Sequence, residues 1–160
     1  MESTRAIPRS PAPQSRRILA IDYGRRRIGL AISDELRLTA SPLAIIERKN
    51  RREDMRRLRE IVRKNGVGLI LVGSPVHLGG HAGEMAEEAA RFAERIRKEL
   101  GLPVELRDER LTSWEAEEIA KEVLDRKDAK KNIDSMAAAI LLREHLDESR
   151  NGKPAAAKGQ

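Results

Sequence analysis

Three carboxylates stand where apolar runs of the sequence end or begin. Asp22 closes the run RILAID, Glu109 closes PVELRDE, and Asp134 opens the last predicted helix. Carboxylates brought together repel one another unless a cation lies between them, and their hard oxygen atoms suit Mg²⁺ or Mn²⁺ better than Zn²⁺. Two such ions can activate water and stabilise the leaving oxygen of a phosphodiester. The three acids therefore predict phosphodiester hydrolysis, provided that folding gathers them.

Each of these acids has basic neighbours in the sequence. They are Arg25, Arg26 and Arg27 after the first acid, Arg107 and Arg110 around the second, and Lys130 and Lys131 before the third. Cationic side chains at such positions can bind the phosphates of a nucleic acid. Simpler roles remain open: Asp22 also suits an Asx turn, Glu109 a surface ion pair and Asp134 a helix cap.

A histidine pair offers a different metal site, which the sequence disfavours. His77 and His81 have the spacing of ligands on a helix, but Gly79 and Gly80 lie between them and disfavour a helix there. We expect the glycine-rich segment HLGGHAG to be a loop before a helix. Such a loop would let a phosphate approach the helix amides, although no Walker or dinucleotide fingerprint is present.

The elements that must position the acids follow from the apolar patterns. Five strands are predicted, at RILAIDYG, RIGLAIS, SPLAIIER, GLILVGSP and PVELRDER. Four helices are predicted: one at 51–65, one that follows the glycine-rich loop, one that begins at Thr112, and one from about Asp134 to Leu146. The short connection between the first two strands predicts an antiparallel hairpin. The order predicts an α/β fold: a five-stranded mixed sheet, its first three strands antiparallel and two more following, with helices on both faces.

The chain of 160 residues suits one folded domain between two tails. We expect disorder at 1–15, where prolines are frequent, a folded domain at 16–148, and a disordered basic tail at 149–160. Cysteine is absent, which excludes disulfides and thiolate metal sites. No apolar run reaches membrane-spanning length and no signal peptide is recognisable, so we expect a cytoplasmic protein without a membrane partner.

The formal charge is +6, of which the two tails carry +4, and within the folded part the basic residues cluster in one segment. The segment 47–64 has nine basic and four acidic residues. That excess suits either a phosphate backbone or a solvated helix face with ion pairs, and the sequence leaves both open.

Four segments resemble a known family when they are taken in order. IDYGRRRIGLAISD, LILVGSP, LRDERLTSWEAE and NIDSMAAAILLREHL closely resemble the bacterial YqgF/RuvX family, and the similarity extends over about 16–146. The resemblance implies an RNase H-like fold and a metal-dependent nuclease that matures the 5′ end of pre-16S rRNA; the family is also described as Holliday junction resolvases. Carried over by motif, Asp22, Glu109 and Asp134 would be the catalytic acids and the ligands of two Mg²⁺ or Mn²⁺ ions.

The sequence departs from the RNase H-like pattern in one respect. Such nucleases often present four acids, whereas Ala137 and Ala138 follow one helical turn after Asp134. A fourth ligand would have to come from Asp108, from Asp34, or from water and substrate phosphate.

The resemblance selects a function among several classes. The first is an endonuclease that acts on pre-16S rRNA, and the nearest alternative is a resolvase of branched DNA. Symmetrical cutting by a resolvase would favour a homodimer. The oligomeric state, monomer or homodimer, stays open. A ribosome-assembly factor that binds nucleic acid without cutting is a further alternative. A sugar-kinase-like or actin-like phosphotransferase shares an Asp-x-Gly hairpin, but this chain is too short for the second domain that such proteins close over ATP.

Overall fold

The computed structural model describes residues 16–74, 80–108 and 126–150, with the backbone alone at 80–82, 108 and 126–133. Within these ranges the elements are β1 (Arg17–Asp22), β2 (Arg27–Ser33), β3 (Ala40–Glu47), α1 (Arg51–Asn65), β4 (Val67–Ser74), α2 (Gly80–Leu100), β5 (Val104–Asp108) and α3 (Arg126–Arg150). The helix predicted from Thr112, the tail predicted at 1–15 and residues 151–160 of the second tail lie outside the described residues.

The five strands form one mixed sheet in the order β3-β2-β1-β4-β5. β2 is antiparallel to both β1 and β3, while β4 is parallel to β1 and to β5. The predicted hairpin and the mixed sheet are therefore confirmed. β4 separates the first and fifth strands. Because β1, β3, β4 and β5 run in one direction, their C-terminal ends meet at one edge of the sheet, here called the carboxyl edge.

Alternate residues of β1 are buried on opposite faces of the sheet. Leu19 and Ile21 belong to a cluster with apolar residues of α1 and α2, whereas Ile18 and Ala20 pack with α3. A strand buried on both faces has no polar face, which explains the unbroken apolar run in the sequence. Helices on both faces of the sheet are thus confirmed.

α1 begins and ends as the sequence predicts. The side chain of Asn50 caps the helix by accepting a hydrogen bond from the Glu53 amide at 2.9 Å. Gly66 ends it with φ 64°, a left-handed conformation that glycine adopts without a Cβ penalty.

α2 begins earlier than expected. Because the helix starts at Gly80, residues 81–83 are helical, and the prediction of a loop through HLGGHAG is wrong for that part; His77 lies outside the described residues. Each interior glycine costs about 1 kcal/mol relative to alanine. Burial of Ala89, Phe92 and Ile96 against the sheet offsets that cost.

α3 is longer than predicted at both ends. It begins at Arg126, about two turns before Asp134, and continues to Arg150. The expectation that Asp134 opens or caps this helix is therefore wrong. The segment 126–133 before Asp134 has three lysines, one arginine and one alanine, which favour a helix but form no apolar stripe that would reveal it. None of the helices in the described part of the chain is long and apolar enough to cross a membrane.

Candidate functional site

Asp22 lies at the carboxyl edge between two glycines of the neighbouring strands. It pairs with Gly29 of β2 and with Gly73 of β4. Because side chains alternate along a strand, Asp22 projects to the same face as Ile18 and Ala20, the face that α3 covers. Neither paired residue has a side chain, so space beside the carboxylate is left for other groups.

The backbone of α3 approaches the sheet at the same point. A Cβ placed on Gly29 would overlap the carbonyl of Asp134 and would lie 2.7 Å from the Asp134 Cβ. Only glycine permits this approach. Since Gly29 is the cross-strand partner of Asp22, the structure brings Asp22 and Asp134 together on one face of the sheet.

An arginine stands beside this pair of acids. Arg27 Nε donates a hydrogen bond to Asp134 Oδ2 at 3.2 Å, and both side chains keep contact with solvent. The guanidinium partly balances the negative charge of two neighbouring carboxylates. It also has donors left over for an anion, because a guanidinium carries five.

The third predicted acid lies just past the described end of β5. Asp108, the last residue of that strand, pairs with Ser74 at the carboxyl edge, whereas Glu109 and Arg110 lie outside the described residues. Lys130 and Lys131 are in α3 before Asp134, and only their backbone is described.

Arg25 is engaged by α2. Its guanidinium donates to both carboxylate oxygens of Glu88 at 2.7 to 3.1 Å, and Glu84 lies 3.7 Å away. The hydrogen bond from Arg25, together with its charge, lowers the pKa of Glu88. Arg25 therefore joins the turn between β1 and β2 to α2.

Arg107 is engaged by α3. Its two terminal nitrogens donate to the two carboxylate oxygens of Glu148 at 3.0 and 2.9 Å, and the side chain is only 11% exposed. This geometry is the bidentate one that arginine forms with a carboxylate. The pair attaches the C-terminal part of α3 to β5.

Arg48 supports the turn that follows Asp22, a role that the sequence gives no reason to expect. Its guanidinium lies over the neighbouring rings of Tyr23 and Phe92, 5.1 and 5.3 Å from their centroids. It donates to the Gly24 carbonyl at 3.1 Å and to Asp54 Oδ2 at 3.1 Å. No motif relates positions 48 and 54, which face each other only because Asn50 starts α1 between them.

Asp34 is excluded as a fourth acid of this site. It follows β2 at the opposite edge of the sheet, where Ser33 pairs with Ala40. Its Oδ1 accepts hydrogen bonds from the amides of Leu38 and Thr39, which lower the pKa of Asp34. Its carboxylate therefore holds a turn far from Asp22.

The donor set at the carboxyl edge fits a hard divalent cation in chemistry. Among the residues that the structure describes, no group of three or more acids or histidines surrounds a common point. Two carboxylates are brought together there, and the third predicted ligand, Glu109, is outside those residues. One turn after Asp134, Ala137 and Ala138 are buried against the sheet and supply no further donor.

Comparisons with known proteins identify the family. The family model described as "RuvX: Holliday junction resolvase" matches residues 16–148. The chain belongs to the RuvX family. The motif resemblance is thus confirmed. Two relatives of this RuvX chain carry the name "Putative pre-16S rRNA nuclease". The one from Geobacillus kaustophilus is 45% identical, and the match covers 84% of this chain and 99% of the relative. The one from Koribacter versatilis is 39% identical, and the match covers 87% of this chain and 92% of the relative.

Solved structures similar to this RuvX chain agree on the fold. Thermus thermophilus RuvC bound to a Holliday junction substrate superposes with a TM-score of 0.55 at 17% identity, covering 86% of this chain and 96% of that one. A second Thermus thermophilus RuvC structure gives a TM-score of 0.52 at 15% identity, covering 86% and 97%. At such identities the similarity concerns the fold alone, and it confirms the RNase H-like architecture.

Proposed function

We propose that this RuvX protein is a divalent-metal-dependent endonuclease that processes the 5′ end of pre-16S rRNA. The observation that carries the proposal is the placement of Asp22 and Asp134 on one face of the carboxyl edge, held by the contact between Gly29 and α3. The names of relatives 39% and 45% identical support the rRNA substrate. Such processing belongs in the cytoplasm.

The metal-binding residues of this proposal are Asp22, Glu109 and Asp134. Glu109 follows Asp108, whose backbone is at the carboxyl edge, so a continuation of β5 would carry it toward the other two acids. When bound, two Mg²⁺ or Mn²⁺ ions would supply an activated water and offset the charge on the leaving oxygen. The carboxylates would hold the ions because hard oxygen donors suit both metals.

The basic residues divide between substrate binding and support. Arg27 holds Asp134 in place through its hydrogen bond and presents its remaining donors to a phosphate. Arg25 holds α2 through Glu88, and Arg107 holds the C-terminal part of α3 through Glu148. The remaining predicted contacts to phosphates are assigned to Arg26, Arg110, Lys130 and Lys131.

The test is cleavage of a labelled rRNA precursor with Mg²⁺ or Mn²⁺ present. Asp22→Asn, Glu109→Gln and Asp134→Asn should each abolish cutting, because each removes a charged ligand, while binding of the precursor is retained. Glu60→Gln is the control, since Glu60 is in the exposed ion pair with Arg56 on α1. Binding without any cutting by the parent protein would instead indicate the assembly-factor alternative.

A second candidate is resolution of branched DNA. The description of the matching family model and the fold shared with RuvC favour it. Cutting of a four-way DNA junction and of the rRNA precursor should be compared under one set of conditions. Paired symmetrical nicks in the junction, with the precursor left intact, would select this alternative and would require two active sites.

A further inference from the structure

The basic residues of the segment 47–64 divide into three groups in the structure: those paired with acids, those before and at the start of α1, and Arg57, Arg63 and Lys64 further along the helix. The first group is neutralised within the protein, in the pairs Arg48 with Asp54, Arg56 with Glu53 and Glu60, and Arg59 with Glu99. The pairs of Arg56 and Arg59 form the solvated, ion-paired helix face that is one of the two explanations of the sequence pattern, whereas the pair of Arg48 with Asp54 is buried. They are therefore accounted for by the fold.

The second group lies before and at the start of α1. Lys49, Arg51 and Arg52 are exposed, and none of them forms an ion pair with a residue that the structure describes. Arg26 is also exposed and is adjacent, because its carbonyl accepts a hydrogen bond from the Arg48 amide at 2.9 Å. These four residues, Arg26, Lys49, Arg51 and Arg52, are here called the basic surface.

The fold gives no reason for cations at this place. The N-terminal turn of a helix carries partial positive charge, so Arg51 and Arg52 are unfavourable to α1, whereas Glu53 and Asp54 favour it. Arg63 and Lys64, in the last turn of the same helix, are placed where cations stabilise it. With no ion pair to a described residue, the basic surface suits an anionic partner.

The basic surface is at the same edge of the sheet as the candidate site, where α1 covers one face and the two acids are on the other. Glu47 ends β3 opposite Arg27, so residues 48–52 leave the sheet at the carboxyl edge, as Asp22 does. β3 is two strands from β1, a separation of about 10 Å. That distance corresponds to about three steps along a nucleic-acid duplex. Arg27 and Arg26 lie between the acids and the rest of the surface.

We infer that the basic surface binds the sugar–phosphate backbone of a helical arm that flanks the scissile phosphate. The inference rests on the proposed function, since it takes the edge containing Asp22 as the place of cutting. Four exposed cations without an ion pair to any described residue suit a polyanion, and they provide no pattern for reading bases. Binding here is sequence-independent and weakens as salt is raised.

The experiment compares two double variants of one helix. Arg51→Gln with Arg52→Gln alters the basic surface, and Arg63→Gln with Lys64→Gln removes the same charge at the other end of α1. Glutamine keeps helix propensity. Fluorescence anisotropy measures binding to a labelled RNA hairpin and a labelled DNA junction in EDTA, between about 50 and 200 mM salt.

The first double variant should bind about tenfold more weakly or worse at the lowest salt, with a log–log salt slope reduced by roughly 2. The control should stay within about twofold of the parent, because its residues lie away from the edge. Thermal melting checks folding, and loss of Arg51 and Arg52 should not lower the melting temperature. If that variant fails to fold, Lys49→Gln, in the connection before α1, should still reduce the slope by about 1.

The inference is overturned if the two double variants weaken nucleic-acid binding equally, or if neither weakens it. Unchanged nucleic-acid binding by the first double variant would point to an acidic protein as the partner of the basic surface. Cleavage is scored separately with Mn²⁺, where the first double variant should raise KM and leave kcat nearly unchanged. A reduced slope in a protein that cuts no substrate supports the basic surface and contradicts the nuclease proposal. If the parent protein cuts a substrate but the salt slope of the first double variant is not reduced, the nuclease proposal is supported and the basic surface is contradicted.

Discussion

The backbone of Asp134 lies directly against Gly29, the residue that pairs with Asp22 across β1 and β2. The two acids are therefore brought together by a contact between helix and sheet. Burial of the apolar residues behind this contact, among them Leu141 and Leu142, holds α3 in position. These apolar contacts keep Asp22 and Asp134 close together although their two negative charges repel each other.

Gly29→Ala should disturb the site through this contact. A methyl group would overlap the Asp134 carbonyl, so α3 must shift, and overpacking of this kind costs about 1 to 3 kcal/mol. We expect a lower melting temperature and a loss of metal-dependent cleavage, measured below the melting transition. The matched control is Gly66→Ala, which strains a residue with φ 64° by about 1 to 2 kcal/mol without meeting another atom. Parent-like cleavage by Gly29→Ala would contradict the role of the contact.

Asp54→Ala should destabilise the fold strongly. Asp54 is 2% exposed and Arg48 18% exposed, so the substitution leaves a largely buried guanidinium without its carboxylate. Removing one member of a buried ion pair costs about 3 to 5 kcal/mol, and we expect the lower end because Arg48 keeps some solvent contact. Urea unfolding measures the change. Glu60→Ala, which breaks only the exposed pair with Arg56, should leave the urea midpoint unchanged; similar midpoints for both variants would refute this assignment.

Arg27→Gln separates positioning of Asp134 from binding of substrate. Loss of the hydrogen bond to Asp134 should lower kcat about tenfold or more, and loss of the donors to a phosphate should also raise KM. Arg27→Lys should restore part of the rate, because an ammonium still supplies charge. Steady-state kinetics with the labelled precursor provides the measurement. A rise in KM at constant kcat would assign Arg27 to the phosphate alone.

The stability of the protein should fall at mildly acid pH because of His145. This side chain is buried, and burial lowers its pKa below the usual 6.5, with smaller opposing effects from Glu105 and Glu148. The unfolded chain binds the proton more readily, so the free energy of unfolding declines as pH falls below about 6.5 toward the lower pKa of the folded state. His145→Gln should weaken that decline. Melting curves between about pH 8 and pH 5.5 test it, and parallel declines in parent and variant would exclude His145.

Much of the sheet could be predicted because a strand that is buried on both faces has a recognisable sequence. β1 and β4 are covered on both sides, so their sequences are nearly continuous apolar runs between polar or glycine boundaries. The end of α1 was readable at Gly66, where only a left-handed residue fits. The carboxyl-edge position of Asp22 followed from the strand it closes.

The residues and contacts that hold the candidate site in place could not be predicted from the sequence in the same way. Arg48 and Asp54 meet through packing between a loop and a helix, and such a contact has no fixed spacing in a sequence. The early start of α3 lies in a polar segment without periodicity, where helix propensity was the only signal. Gly29 resembles any strand glycine until the path of α3 is known.

The common direction of β1, β3, β4 and β5 bears on how relatives of this chain can diverge. Asp22, Arg27 and Asp134 lie at the carboxyl edge, whereas the two buried clusters are built from strand interiors and helix faces. Substitutions of exposed residues at that edge can alter what is bound there while the framework stays intact. Orthologues should therefore vary in preference more readily than in architecture.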